Sequence, residues 1–335
     1  MKSFEYCLYI GRFQPFHHGH YELLEEAFNQ AEKVIIAIGS HNLAPDTRNP
    51  WTSAQREAMI TAALNDDEKQ RVKFIYVRDY YYLPNMWLAD VQQQVYEATE
   101  GCDDSKICNI GATNDFPQWK FIQMANNEKF PHATKIRDLY FTHDAAYKNH
   151  VHVKVAESLE TFKKTDEFKS LKAGFDFLTE YKAVWSGAPF PPTFVTVDAI
   201  VIRSGHVLVV RRKGALGKGL IALPGGFLNQ NETTQDAAIR ELKEETGIKL
   251  AKEDLEKSIV GHKVFDYPER SLRGRTITHG FFIDLKRGPL PIVKGSDDAD
   301  KAWWMSLREF ETRESEFFED HFHIINFFAG SPFMK

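Results

Sequence analysis

The chain has only three cysteines, Cys7, Cys102 and Cys108, in 335 residues. Their number is odd and no CxxC spacing occurs, so neither a disulfide framework nor a zinc knuckle is indicated. A reducing compartment fits. No stretch of about 18 uncharged apolar residues exists, which argues against a membrane-spanning helix. The opening MKSFEYCLYI carries an acid at Glu5 and runs straight into a strand-like segment, unlike a secretory leader. A basic excess is also missing: the net charge is −5, leaving no surplus to neutralise a nucleic-acid backbone. Internal repeats and low-complexity tracts are absent as well. The expectation is a cytoplasmic protein that handles small molecules, with neither nucleic acid nor membrane as partner.

With 43% hydrophobic and 13% aromatic residues, the composition is that of an ordinary globular protein long enough for two cores. From residue 1 to about 150, short apolar runs (CLYI, VIIAIGS, VKFIYVRD, KICNIGA) alternate with helical patterns (HYELLEEAFNQA, SAQREAMITAAL, NMWLADVQQQVYEA). Such alternation predicts an α/β domain with a doubly wound parallel sheet, whose site is built at the C-terminal ends of its strands. Residues 154 to 183 are charged and helical in period, and WSGAPFPPTF after them holds three prolines and a glycine, a boundary signal. Beyond it, TFVTVDAIVIRSGHVLVVRRK reads as two strands joined in a hairpin at Ser204-Gly205. The expected division is a first domain over 1–183, a linker over 184–193 and a second domain over 194–335.

Two segments carry chemistry. In GRFQPFHHGH, residues 11–20, glycines, a proline and three histidines sit between an apolar strand and a helix. A helix start after a parallel strand offers free N–H groups and a positive dipole end, which suits phosphate. An ordinary βα turn is the plain alternative, but His17 and His20 bracket Gly19 and bring two imidazoles to one spot.

The other segment is GFLNQNETTQDAAIRELKEETGI, residues 226–248. Ala237, Ala238, Ile239 and Leu242 fall on a core-facing stripe, and Gly247 is placed to end the helix in a left-handed conformation. Glu241, Glu244 and Glu245 stand at i, i+3 and i+4 on one face. Three clustered carboxylates repel unless a cation sits among them, and their oxygens suit hard ions such as Mg²⁺ or Mn²⁺. The alternative is a solvated acidic face paired with Arg240 and Lys243.

The segment resembles the complete Nudix box, G-x5-E-x7-R-E-U-x-E-E-x-G-U with U apolar, at Gly226, Glu232, Arg240, Glu241, Leu242, Glu244, Glu245, Gly247 and Ile248. At average residue frequencies a chance match is on the order of one in ten million. The resemblance implies an αβα sandwich with a mixed sheet, and hydrolysis of a nucleoside diphosphate linked to another group. It implies Glu241, Glu244 and Glu245 as metal ligands, with the Gly225 carbonyl nearby and Arg240 orienting the glutamates; Glu244, Glu245 and Arg240 are the catalytic candidates. The flanks LGKGLIALPGGFL, YPERSLRGRTITHGFF and GSDDADKAWWMSLREF look like the ADP-ribose pyrophosphatase branch. Arg270, Arg273 and Arg275 are either phosphate grips or plain turn arginines. Asp297 or Asp298 is the candidate general base.

In the first half, Gly11, Phe13, Pro15, His17, Gly19 and His20 resemble the nucleotidyltransferase signature G-x-F-x-P-x-H-x-G-H. HATKIRD resembles the superfamily's second signature, S-x-T-x-I-R, through Thr134, Ile136 and Arg137, with His132 where serine is usual. GRFQP, NPWTSAQR and RDYYYLPNMWLADV are similar to the archaeal-type nicotinamide mononucleotide adenylyltransferases. The resemblance implies His17, His20 and Arg137 as catalytic residues. It implies Gly11, Arg12, Phe13, Gly19, Asn49, Arg56, Asn85, Trp87, Thr134 and Ile136 as substrate-binding residues, with Asp79 a further candidate. Trp87, which spacing alone would assign to core packing, is placed by the resemblance against the pyridine ring. Gly11 and Gly19 are expected to admit the phosphates closely. The substrates implied are ATP, nicotinamide mononucleotide and ADP-ribose, and the family habit of the Nudix half suggests a homodimer. Two rivals stay open: a Nudix half that senses ADP-ribose or NAD, or one that acts on another nucleoside diphosphate derivative.

Overall fold

The computed structural model describes residues 2–123, 130–295 and 299–330. They divide into two compact units, Met1–Lys172 and Ala173–Lys335.

Apolar runs flanked by helices become buried parallel strands because a sheet covered on both faces has no use for alternation. Among the described residues the first unit holds β1 (Phe4–Gly11), β2 (Ala31–Ile38), β3 (Val72–Tyr76), β4 (Ile107–Gly111) and β5 (Lys120–Gln123), all parallel, in the order β3-β2-β1-β4-β5. Its helices are α1 (His18–Gln30), α2 (Ser53–Ala63), α3 (Asp66–Arg71), α4 (Pro84–Ala98), α5 (Ala133–Phe141) and α6 (Val153–Phe162). The chain winds outward from β1 to β3, then returns to place β4 on the other side of β1. The loops leaving β1 and β4 therefore diverge, and a crevice opens between them at this switch point. GRFQPFHHGH leaves β1 there.

The division between the units falls inside α7 (Asp166–Ala183). Phe168 packs on Tyr140 and Phe141 in the first unit, whereas Leu178 joins Val210, Leu216, Ala222 and Phe318 in the second unit's core.

The second unit carries β6 (Thr193–Arg203), β7 (His206–Arg212), β8 (Ile221–Ala222), β9 (Gly225–Phe227), β10 (Ile259–Phe265), β11 (Arg275–Asp284) and β12 (Ala299–Ser306). The main path runs β10-β11-β6-β7-β12, with β8 on β7 and β9 on β6. Among the described strands β6 and β11 pair in parallel and the other pairs are antiparallel, so the sheet is mixed. The β6–β7 hairpin turns at Ser204 and Gly205, both at positive φ.

Helix α8 (Thr234–Thr246) starts where Thr233 accepts from the Asp236 N–H and stops at Gly247 in the left-handed region, φ 60°. It lays Ile239 and Leu242 on Ala199, Val201, Leu208 and Ile283. Helices α9 (Lys252–Lys257) and α10 (Leu307–Phe310) are short, and α11 (His321–Ala329) covers the opposite face, where Phe328 stacks on Phe282 at 5.5 Å. The two architectures are the doubly wound sheet and the mixed-sheet αβα sandwich that the sequence predicts.

Leu242 has no exposed surface under α8. Leu242→Ala is expected to destabilise the second unit by about 2–5 kcal/mol, read as a lower urea midpoint for its unfolding transition.

Candidate active sites

The crevice of the first unit is a cavity of about 470 Å³ whose walls include Arg12, His17, His20, His132, Thr134 and Arg137. His17 caps α1: its Nδ1 accepts from the Gly19 N–H at 3.1 Å. A ring that accepts at Nδ1 carries its proton at Nε2 and is free to donate from there. Burial pushes the His17 pKa down to about 4, and His18, His132, His150 and Arg137 add repulsion. His20 packs against it with ring centroids 3.7 Å apart and the ring planes tilted by 31°. Burial, then His17, hold His20 well below its usual pKa, while the Pro15 carbonyl works the other way. Both imidazoles are therefore neutral near pH 7, and the positive charge of the crevice comes from Arg12 and Arg137. The Nδ1 of His20 is buried without a hydrogen-bond partner.

Arg137 donates to the Gln14 carbonyl at 2.8 Å and to the Thr134 hydroxyl at 3.1 Å. Burial lowers its pKa to about 10, which leaves it charged. Gln14 in turn exchanges two amide bonds with the Trp51 backbone, at 2.9 and 3.1 Å, which pins the signature loop to the NPWT segment.

Several of the expected contacts need correction. A Cβ on Gly11 would stand 2.8 Å from the Phe13 ring, and one on Gly19 3.1 Å from the His17 ring and 3.3 Å from the Phe130 Cβ. These glycines make room for the rings packed around the loop, and Gly19 lines the cavity wall. Phe13, at φ 52°, lines the cavity but is fully buried, with its ring edge-on to Tyr9 and His20. Its work is packing. Arg56, 1% exposed, donates to the carbonyls of Arg12 at 2.7 Å, Gly39 at 2.6 Å, and Ser40 and Thr52 at 3.3 Å. Its guanidinium ties the ends of β1 and β2 together and has little left for substrate. Ile136 is a core residue whose N–H is bonded to the His132 carbonyl. Asn49 keeps a buried Oδ1 without a partner, Asn85 is exposed, and Trp87 is half-buried against Phe116 at 5.7 Å. None of those three lies on the cavity wall. Asp79 pairs its backbone with the Asn42 side chain, at 2.8 Å through its N–H.

In the second unit Arg240 sits at the centre of the acidic face. It grips Glu232 with two bonds, at 2.7 and 2.9 Å, and donates to Glu241 at 2.8 Å and Glu244 at 3.0 Å. Arg240 holds the Glu232 pKa at about 2. Glu245 instead accepts from the Gly225 N–H at 3.0 Å. Burial pushes Glu245 up to about 8, opposed by that N–H and reinforced by Glu241, and burial also raises Glu241. Gly226 has a specific reason here: a Cβ would fall 2.3 Å from the Glu241 carboxylate.

The metal-ligand expectation meets a mixed result. Among the described residues no three metal-ligating side chains converge as a ready cage, because Arg240 takes up Glu241 and Glu244. The donor set nonetheless suits a divalent cation: hard carboxylate oxygens, two of them desolvated, against a backbone that lacks a Cβ.

Arg270 needs correction too. It is buried and bound through two bonds, at 2.7 and 2.9 Å, to buried Asp320, so it is a structural ion pair rather than a phosphate grip. Arg275 is bonded to the Asp266 carbonyl. Arg273 differs, for its guanidinium lies 5.7 Å over the half-exposed Phe227 ring next to Gly226. Asp297 and Asp298 lie outside the described residues.

Sequence reasoning missed the polar layer beneath the box. Buried Asp198 accepts from the Thr278 hydroxyl at 2.6 Å, and His321 accepts the Leu223 N–H at 2.9 Å. Burial keeps His321 neutral, so its 3.8 Å approach to Asp198 is not an ion pair. The available signal was Asp198 itself, an acid in the middle of the apolar run VTVDAIVI.

The His17 shift fixes the sign of an acid response. Its folded pKa, about 4, lies below the 6.5 of an ordinary imidazole, so the unfolded chain binds more protons between the two. Stability is complete above about pH 6.5 and is lost as pH falls toward 4, by roughly 3 kcal/mol from this group. His17→Asn, which keeps a capping side chain, is expected to lessen the slope by this group's share in urea titrations across this range, with the buried His20 and His321 retaining theirs.

Residues 8–175 match the cytidylyltransferase-like family and residues 192–326 the NUDIX domain family. The chain is 31% identical over 149 residues to the nicotinamide/nicotinic acid mononucleotide adenylyltransferase of Acinetobacter baylyi, covering 42% of this chain and 78% of that one. It is 40% identical over 113 residues to the ADP-ribose pyrophosphatase of Methanocaldococcus jannaschii, covering 34% of this chain and 62% of that one. A crystal structure of a bifunctional NMN adenylyltransferase/ADP ribose pyrophosphatase from Francisella tularensis, complexed with AMP and a Mn ion, superposes with a TM-score of 0.91 at 36% identity, over 98% of this chain and 99% of that one. The chain belongs to the cytidylyltransferase-like family through its first half and to the NUDIX family through its second, in the two-domain arrangement of that bifunctional protein.

Proposed function

We propose that the first unit transfers AMP from ATP to nicotinamide mononucleotide, giving NAD and pyrophosphate, and that the second hydrolyses ADP-ribose to AMP and ribose 5-phosphate. The two activities divide across the two units, Met1–Lys172 and Ala173–Lys335. One observation carries the reading: both signature segments occupy the positions where phosphate chemistry is done, the turn after the central strand β1 and the carboxylate face of α8.

In the first unit the mononucleotide phosphate attacks the α-phosphorus of ATP in line, and pyrophosphate leaves. Neutral His17 and His20 donate hydrogen bonds while Arg12 and Arg137 supply charge, so alignment and electrostatics lower the barrier. Thr134 holds one arm of Arg137 in place. Trp87, Asn85 and Asp79 are assigned to the nicotinamide side, and Asn49 with its unpartnered oxygen to substrate binding.

In the second unit Glu241, Glu244 and Glu245 would hold a divalent cation, Mg²⁺ or Mn²⁺. The chemistry supplied when it is bound is a lower pKa for the attacking water and neutralised charge on the pyrophosphate. Arg240 fixes the rotamers of Glu241 and Glu244, Gly225 holds Glu245, and Arg273 stands ready for the diphosphate. The partners are small molecules, and the protein works in the cytoplasm as a homodimer. Among the described residues no helix is long and apolar enough to cross a membrane.

Purified protein with Mg²⁺ and ADP-ribose is expected to yield AMP and ribose 5-phosphate by chromatography, and Glu245→Gln to slow this by roughly a hundredfold or more. ADP-ribose that binds without turning over would shift the second unit to a sensor. With ATP and nicotinamide mononucleotide the wild type is expected to form NAD, and His20→Ala to lose about a hundredfold.

A further inference from the structure

Between β8 and β9 the chain changes partner. Ile221 and Ala222 pair with β7, whereas Gly225, Gly226 and Phe227 pair with β6. Leu223 and Pro224 make the crossing, where the ladder is interrupted and each buried backbone group needs another partner. The Pro224 carbonyl accepts from the Ala199 N–H at 2.8 Å, and the Leu223 N–H donates to His321 Nδ1 at 2.9 Å. Proline has no N–H, so the next donor along the chain is Gly225, which holds Glu245 at 3.0 Å. One imidazole therefore fixes the backbone two residues before the group that orients a catalytic carboxylate.

His321 is itself held. It opens α11 directly after Asp320, whose carboxylate takes two bonds from Arg270, at 2.7 and 2.9 Å. Just before them, the Phe318 N–H donates to the Ile221 carbonyl at 2.8 Å, a second tie between this segment and the crossing. Arg270, Asp320 and His321 are all buried. On the β6 side a Cβ at Gly225 would fall 2.2 Å from the Val197 carbonyl oxygen and 2.6 Å from the Asp198 carboxylate, so Gly225 is closely confined. Apolar side chains fill an interior as well as a buried ion pair does, and at lower desolvation cost. What the polar groups add is direction, which places one short backbone segment.

We propose that His321 is a positioning residue of the hydrolytic site in the second unit: seated by the Arg270–Asp320 pair, it sets Leu223 and, through Pro224, the Gly225 N–H that orients Glu245 toward the divalent cation. The inference rests on the pyrophosphatase reading for the substrate. His321 acts through the backbone and touches neither substrate nor cation.

The test compares two substitutions. Asparagine carries Oδ1 on Cγ, where histidine carries Nδ1, and so keeps the acceptor; glutamine, closer to histidine in volume, places its oxygen one bond farther out. Mn²⁺ affinity is measured by calorimetry without nucleotide on full-length wild type, His321→Asn and His321→Gln, with Glu245→Gln giving the background from other sites. Urea midpoints and kcat and KM for ADP-ribose are recorded alongside. His321→Gln is expected to lose roughly tenfold in Mn²⁺ affinity and in kcat with KM little changed, and His321→Asn to stay within about threefold of wild type. Variants that behave alike, or losses that follow volume and the urea midpoint so that asparagine is the worse, would overturn the proposal and leave His321 as core packing. Mn²⁺ affinity that follows the acceptor in a wild type that leaves ADP-ribose uncleaved would refute the pyrophosphatase reading while the positioning role stands.

Discussion

Desolvation sets the charge state of both sites, and most of their local architecture follows from it. Burial pushes His17 down to about 4 and Glu245 up to about 8, each toward its neutral form. A neutral imidazole donates a hydrogen bond without competing for counter-ions, and a carboxyl that resists ionisation binds a cation on better terms than it bears isolation. The charge each site needs must then come from groups that burial cannot neutralise. In the first unit these are Arg12 and Arg137. In the second, Arg240 spreads one guanidinium over three carboxylates.

Holding such groups in place takes further buried polar bonds. Arg56 ties three loop carbonyls at the ends of β1 and β2 and that of Thr52 before α2. Gln14 clasps the Trp51 backbone, and Arg270 with Asp320 anchors the segment after β10. These interactions are costly to break, because each would leave an unpaired polar group away from water.

The periodicities that distinguish the halves, helix–strand alternation in one and β-branched hairpin runs in the other, are local properties, and both architectures were legible from them. The box helix was equally legible, from Thr233 at its start to Gly247 at its end, since capping and apolar spacing act within a few residues. The arginines were not. Arg56, Arg137, Arg270 and Arg273 all lie in polar segments of similar composition, yet one binds carbonyls, one lines a cavity, one pairs with Asp320 and one rests on Phe227. Each has a partner far along the chain, Arg12 for Arg56, Gln14 for Arg137, Asp320 for Arg270 and Phe227 for Arg273, at separations that no local pattern encodes.

The glycines divide in the same way. That Gly11, Gly19 and Gly226 belong to signatures was plain from spacing, but what each makes room for is a tertiary fact: the Phe13 ring, the His17 ring and the Glu241 carboxylate. By itself the sequence determined the two folds, the families and the carboxylate face of α8, because those depend on residue type and spacing. Tertiary structure alone decided which guanidinium is spent on backbone and which faces solvent, and how far burial displaces His17 and Glu245. Both depend on what the fold brings from distant segments to exclude water around a group.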